Sequence, residues 1–319
     1  MKTKLLSCLA LAIILITTFG CQNPNAPSTD EKGTTSALKK IEAYNSTLIN
    51  TVHTRGYSRI DFLKAICIAA ADIGGIAAGI SAVKEIAFVL SIPTGGIGAA
   101  VTCGFAGLIC SVGASYAAHS TCYPQTRTDS SEFIDPQTIL DAILISNPNF
   151  ERDTTLHILP SIANRIRLPE NFEHVRDFGI RHNEALVTLE EIRSGEIDIQ
   201  DLDLDPELET IVTSNDFNTA YDVIINAATN ATTTENFSTT EFLNITSSYL
   251  SGQEARVLEL FFEVYTLYPE DQQDIAELIN NYIAIIEDSD EFTSEEKEII
   301  YASLMIAAES PLHWQEIIN

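Results

Sequence analysis

The most chemical-looking cluster in the sequence is Gly179-Ile180-Arg181-His182-Asn183-Glu184. An imidazole flanked by an amide and a carboxylate has the raw material of general acid–base catalysis, which needs the ring beside a nucleophile or an orienting carboxylate. Successive residues of one helix do not share a face. His182 instead falls on the apolar stripe Val175, Phe178, His182, Leu186 and Leu189. The expected role is a core histidine with one hydrogen-bonded nitrogen. A hydrolase-type enzyme centred on His182 is the third reading and requires an open cleft there. His-Glu-x-x-His, Gly-x-Ser-x-Gly and a phosphate-cradling glycine loop are all missing from the sequence. Glycines 74, 75 and 79 follow no strand pattern, which excludes a dinucleotide fingerprint by context, and no cofactor is expected.

Two further groups invite a metal reading and fail it. Cys67, Cys103, Cys110 and Cys122 contain no Cys-x-x-Cys pair, and His119-Ser120-Thr121-Cys122 supplies two of the four ligands zinc needs. Asp201, Asp203 and Asp205 alternate like the first ligands of a calcium loop. Pro206 stands where that loop needs glycine, and Val212 where it needs glutamate. No metal site is expected.

The elements that must position these residues begin with an apolar, glycine-rich stretch. Helical arms over Ser58–Leu90 and Gly95–His119 flank the breaker Ser91-Ile92-Pro93-Thr94-Gly95-Gly96, which predicts a helical hairpin. Small residues recur every four positions, at Cys67, Ala71, Gly75 and Gly79 in one arm and at Gly98, Thr102, Ala106, Cys110, Ala114 and Ala118 in the other. That spacing suits close helix packing. An antiparallel register centred near Pro93 puts Cys67 within a helical turn of Cys122, so a Cys67–Cys122 disulfide is expected to close the open end. Cys103 and Cys110 are expected to stay buried thiols.

The N-terminus has Lys2 and Lys4, an apolar run from Leu5 to Ile16, and Gly20 before Cys21. This reads as a secretory signal, its apolar run too short to span a bilayer comfortably. Gly20-Cys21 resembles the lipobox of bacterial lipoproteins, which implies a signal peptide over 1–20 and lipidation of Cys21. Residues 21–57 then form the acylated cysteine, a flexible tether rich in Asn, Pro, Ser and Thr, and a short helix. The hairpin occupies 58–122. Residues 131–319 read as an acidic all-α domain, with helices at about 170–193, 206–213, 216–228, 239–250, 253–267, 270–287 and 293–309. Thr293 and Glu296 make a capping box, and Ser310-Pro311 is expected to end the last helix. The fold class is therefore all-α. With 45 acidic against 18 basic residues and a formal net charge of −27, the chain repels phosphate backbones, and nucleic acid is excluded as a partner.

Three scattered features resemble one set of uncharacterised bacterial exported lipoproteins. These are Gly179, His182 and Asn183 in a Gly-x-x-His-Asn helix motif; Ile306-Ala307, Ser310 and Trp314 near the C-terminus; and Asp72 followed by Gly74, Gly75 and Gly79. The resemblance implies architecture and export, with Gly179, His182 and Asn183 as a possible functional helix motif, but no reaction. The leading expectation is a lipid-anchored protein of the bacterial cell envelope, at the outer membrane, with a non-enzymatic binding or structural role. Its partners would be the membrane, through the anchor and the hairpin, and a protein or ligand still to be identified. The rival is a membrane-inserting effector that uses the 58–122 hairpin much as pore-forming colicins use a buried apolar helix pair. That role tolerates Asp72 only if it is protonated or paired.

Overall fold

A computed structural model describes residues 36–52, 60–89, 97–123, 134–146, 161–198, 206–233, 236–250, 252–265 and 272–318. The signal segment, Cys21, the tether, the Pro93 breaker and the Asp201–Asp205 run lie outside the described residues.

The protein is all-α. Its helices are α1 (Ala37–Val52), α2 (Ile60–Val89), α3 (Ile97–Cys122), α4 (Pro136–Ser146), α5 (Phe178–Ser194), α6 (Pro206–Thr213), α7 (Asn215–Ala231), α8 (Thr239–Ile245), α9 (Gly252–Tyr265), α10 (Gln272–Glu287) and α11 (Ser294–Ile318). Short 3-10 turns at Ile162–Arg165 and Glu170–Val175 precede α5. The single helix expected over 170–193 is thus broken, because the chain turns at Arg176-Asp177 before α5 begins.

The core is built around α2 and α3. They are apolar all round, the pattern of a helix surrounded by protein, and from Ala65 to Val83 every residue of α2 is buried. They run antiparallel, Gly75 lying against Ala114 and Gly79 against Ala106 and Cys110. The approach is close enough that a Cβ on Gly75 would lie 2.8 Å from the Cys110 carbonyl oxygen. Around this pair, α11 lies along α2, α7 packs on both, and α5 packs on α4 and α11. On the far side Asn45 ties α1 to its neighbours, donating to the Leu260 carbonyl at 2.7 Å and accepting from the Tyr282 hydroxyl at 2.8 Å.

Two expectations need correction here. Residues 36–319 make one compact unit with one continuous core, so the boundary drawn between a 58–122 hairpin and a 131–319 domain separates nothing. The physical reason is that α2 and α3 bury their apolar surface against helices of the following segment, α11 on α2 and α7 on both. The second correction is that Cys67 and Cys122 form no disulfide. All four cysteines of the helical body are buried thiols, and the Cys122 thiol donates to the Thr233 carbonyl at 3.4 Å. The two are near enough to act on each other electrostatically, and burial, reinforced by Cys122, pushes the Cys67 thiol up to about 12.

The last helix also departs from expectation. Its start is the expected capping box: the Glu296 amide donates to Thr293 Oγ1 at 3.2 Å and the Thr293 amide to Glu296 Oε2 at 2.8 Å. Its end is not Ser310, because α11 runs through Pro311 to Ile318. Proline denies the carbonyl four residues back its usual donor. Here that carbonyl belongs to Ala307, and the buried Tyr265 hydroxyl donates to it at 2.8 Å. A tyrosine from α9 thus replaces the missing helix bond.

Candidate functional site

Continuation of α11 past Pro311 has a direct consequence for placement. Ser310 and Trp314, four residues apart, share a face, and both turn onto the carboxyl of Asp72 in the middle of α2. Ser310 Oγ and Trp314 Nε1 each donate to Asp72 Oδ2, the indole at 3.3 Å. From α5, His182 Nε2 stands 3.7 Å from the same oxygen. From α3, Ser111 Oγ donates to the Asp72 backbone carbonyl at 2.9 Å. Asp72 and His182 are both 0 % exposed.

Gly179 makes this convergence possible. It lies where α5 crosses α11, and a Cβ there would collide with the Met305 carbonyl oxygen and the Glu309 side chain. One turn on, Asn183 Nδ2 donates to the Glu309 carbonyl at 3.1 Å, and its Oδ1 lies 3.1 Å from His182 Nδ1. Adjacent residues of one helix do touch here, contrary to the expectation that they would face apart, because the asparagine side chain curls back over the ring. Glu309 continues the network, its Oε1 accepting from Ser161 Oγ at 2.6 Å and from the Ala163 amide at 2.8 Å.

The network assigns the proton on the imidazole. Asn183 spends its amide N–H on Glu309, so its carbonyl oxygen faces the ring, and Nδ1 must carry the hydrogen. Neutral His182 therefore points a lone pair, on Nε2, towards Asp72. Burial holds the ring neutral, lowering His182 to about 4 against the opposing pull of Asn183 and the Ser111 backbone. Burial likewise raises the Asp72 carboxyl to about 7, with Ser115, Ser310 and Trp314 drawing it partly back. Both effects express one cost, that of holding net charge in a dry interior. Between these values the pair is uncharged, with the acid proton left to Oδ1, since Oδ2 accepts from both Ser310 and Trp314.

At the outer edge of the cluster Trp314 touches two further imidazoles. His119 stacks on the indole with ring centres 4.9 Å apart, and His313 meets it edge-on at 5.3 Å. Lys64 sits 4.3 Å over the ring of Tyr123, which in turn packs on His119.

The structure thus brings together one or more residues from each of the three motifs singled out in the sequence: Asp72, Gly179-His182-Asn183 and Ser310-Trp314. His119 and Tyr265 were missed as participants, and only the four-residue spacing of Ser310 and Trp314 could have hinted at a shared face. No group of three or more metal-ligating side chains occurs among the described residues. A separate open groove of about 730 Å³, lined by Arg165, Arg167, Leu168, Ile283 and Glu287 among others, lies between the 3-10 turns and α10. Compared with family models, curated proteins and solved structures, the chain shows no match.

Proposed function

We propose that this chain is a lipid-anchored protein of the bacterial cell envelope whose helical body has a binding or structural role and no catalytic one. The observation that carries the reading is the sealing of the Asp72–His182 cluster. The convergent ionisable groups are 0 % exposed and serve to join α2, α5 and α11. A hydrolase-type reaction at His182 would need a cleft reaching that ring. The anchor part of the proposal rests on Gly20-Cys21 and the tether that follows.

Lys64–Lys84 is long and apolar enough to cross a membrane, yet from Ala65 to Val83 it is buried within the protein, as core helices are. The discriminating experiment adds purified mature protein to dye-loaded liposomes at neutral and acidic pH. No release is expected under either condition, and release would overturn the proposal in favour of the membrane-inserting effector. Labelled palmitate should be incorporated by wild type and lost in Cys21→Ala; incorporation that survives the substitution refutes the anchor.

A further inference from the structure

We propose that the end of α11 is a proton-operated latch, held shut while His119 and His313 pack as neutral rings on Trp314 and released when they take up protons. The proposal rests on the geometry around Trp314 and not on the functional reading above. Two features make this end separable from the rest of α11. Pro311 removes the backbone bond to Ala307 at that turn, and Tyr265 of α9 takes the vacated carbonyl. Residues beyond Pro311 are then held by Leu312, packed on the core, and by the indole, its N–H on Asp72 and its ring stacked on His119 and meeting His313 edge-on.

Protonation of the two imidazoles would place two positive charges against one ring and within reach of each other. The groups around them come from several helices: His182 of α5 and His119 of α3 act on His313, Tyr123 packs on His119 with Lys64 of α2 over the tyrosine ring, Asp72 of α2 holds the indole they both touch, and Glu309 lies one turn before His313 on α11. Asp72 already accepts from Ser310 and Trp314, and Glu309 from Ser161 and the Ala163 amide. Lys64 and His182 add like charge or the capacity for it. His313 Nε2 is buried with no hydrogen-bond partner, so a proton there finds no acceptor. Burial already disfavours the charged rings: His313 is lowered to about 4, with His182 and His119 adding to the effect, and His119 is lowered by burial alone. A group displaced in this direction stabilises the closed state above its ordinary pKa, and that contribution is lost as pH falls below about 6.5.

Trp314 is the only tryptophan, so its fluorescence reports the latch directly. The experiment titrates the mature protein from pH 8 to 4.5, following acrylamide quenching of Trp314 and far-UV helicity together. The expected result is a several-fold rise in quenching with a midpoint between about 4 and 6.5, while helicity is retained. In His119→Gln/His313→Gln the midpoint should fall by about one pH unit or more. Constant quenching, an unchanged midpoint in the variant, or a parallel loss of helicity would each overturn the proposal. Should the double variant fail to fold, amide exchange on wild type decides. Acid-accelerated exchange confined to residues 310–318 supports the latch, and uniform acceleration through α2 refutes it.

Discussion

Asp72→Asn isolates the cost of keeping a carboxyl in the core. Asparagine is close in shape to the protonated acid: its carbonyl oxygen can take the place of Oδ2, accepting from Ser310 and Trp314, and its amide that of Oδ1. The wild-type carboxyl moves from 3.8 to about 7 on folding. At about 1.4 kcal/mol for each unit of pKa, this corresponds to about 4 kcal/mol. The sign follows from linkage. A carboxyl raised in the folded state contributes stability that is fully present below its unfolded pKa and lost as pH rises through about 7. Asparagine has no such dependence, so its stability relative to wild type should improve by about 4 kcal/mol between pH 4 and pH 8. Urea denaturation at half-unit pH intervals, with free energies extrapolated to zero denaturant, measures the difference. A free-energy difference constant to within about 1 kcal/mol over that range, or one moving the other way, would show that Asp72 is ionised in the folded protein and refute the uncharged pair.

Gly179→Ala should destabilise by about 1–3 kcal/mol, because the new methyl meets backbone at Met305 and α5 must lift from α11; a thermal melt unchanged from wild type would contradict the close crossing. Tyr265→Phe leaves the Ala307 carbonyl without its donor beside a proline, at a cost of about 1–3 kcal/mol, with faster amide exchange after Pro311 as its local signature. Unreduced protein unfolded in denaturant should show Cys67, Cys103, Cys110 and Cys122 all open to alkylation, and native protein should show them protected. Burial places Cys67 at about 12 and Cys103 and Cys122 at about 11, with Cys110 displaced in the same direction. Peptide mapping that finds a Cys67–Cys122 bridge would restore the disulfide.

The all-α class was legible because the chain carries helical periodicity and turn chemistry throughout, with no strand alternation. His182 was readable as a core residue from Phe178 and Leu186 one turn either side. What it faces was not readable, since Asp72 lies more than a hundred residues away and only tertiary packing joins them. The end of α11 was misread for a definable reason. Pro311 stops a helix when local bonding decides, and the hydroxyl that compensates comes from Tyr265 on another helix. The Cys67–Cys122 expectation placed the residues as neighbours, but neighbourhood does not decide between a bridge and a thiol bonded to Thr233.

The packing of α11 along α2 also sets the order in which the protein can be completed. Synthesis delivers the chain from its N-terminus, so α2 and α3, greasy on every side, exist for roughly two hundred residues before Ser310 and Trp314 are made. Until then Asp72 has neither donor from α11, and the apolar pair lacks its last cover. Non-local closure of this kind is slow and leaves intermediates prone to self-association. A message truncated just before codon 310 would produce not a slightly shorter protein but one whose centre never closes, an open target for quality-control proteases.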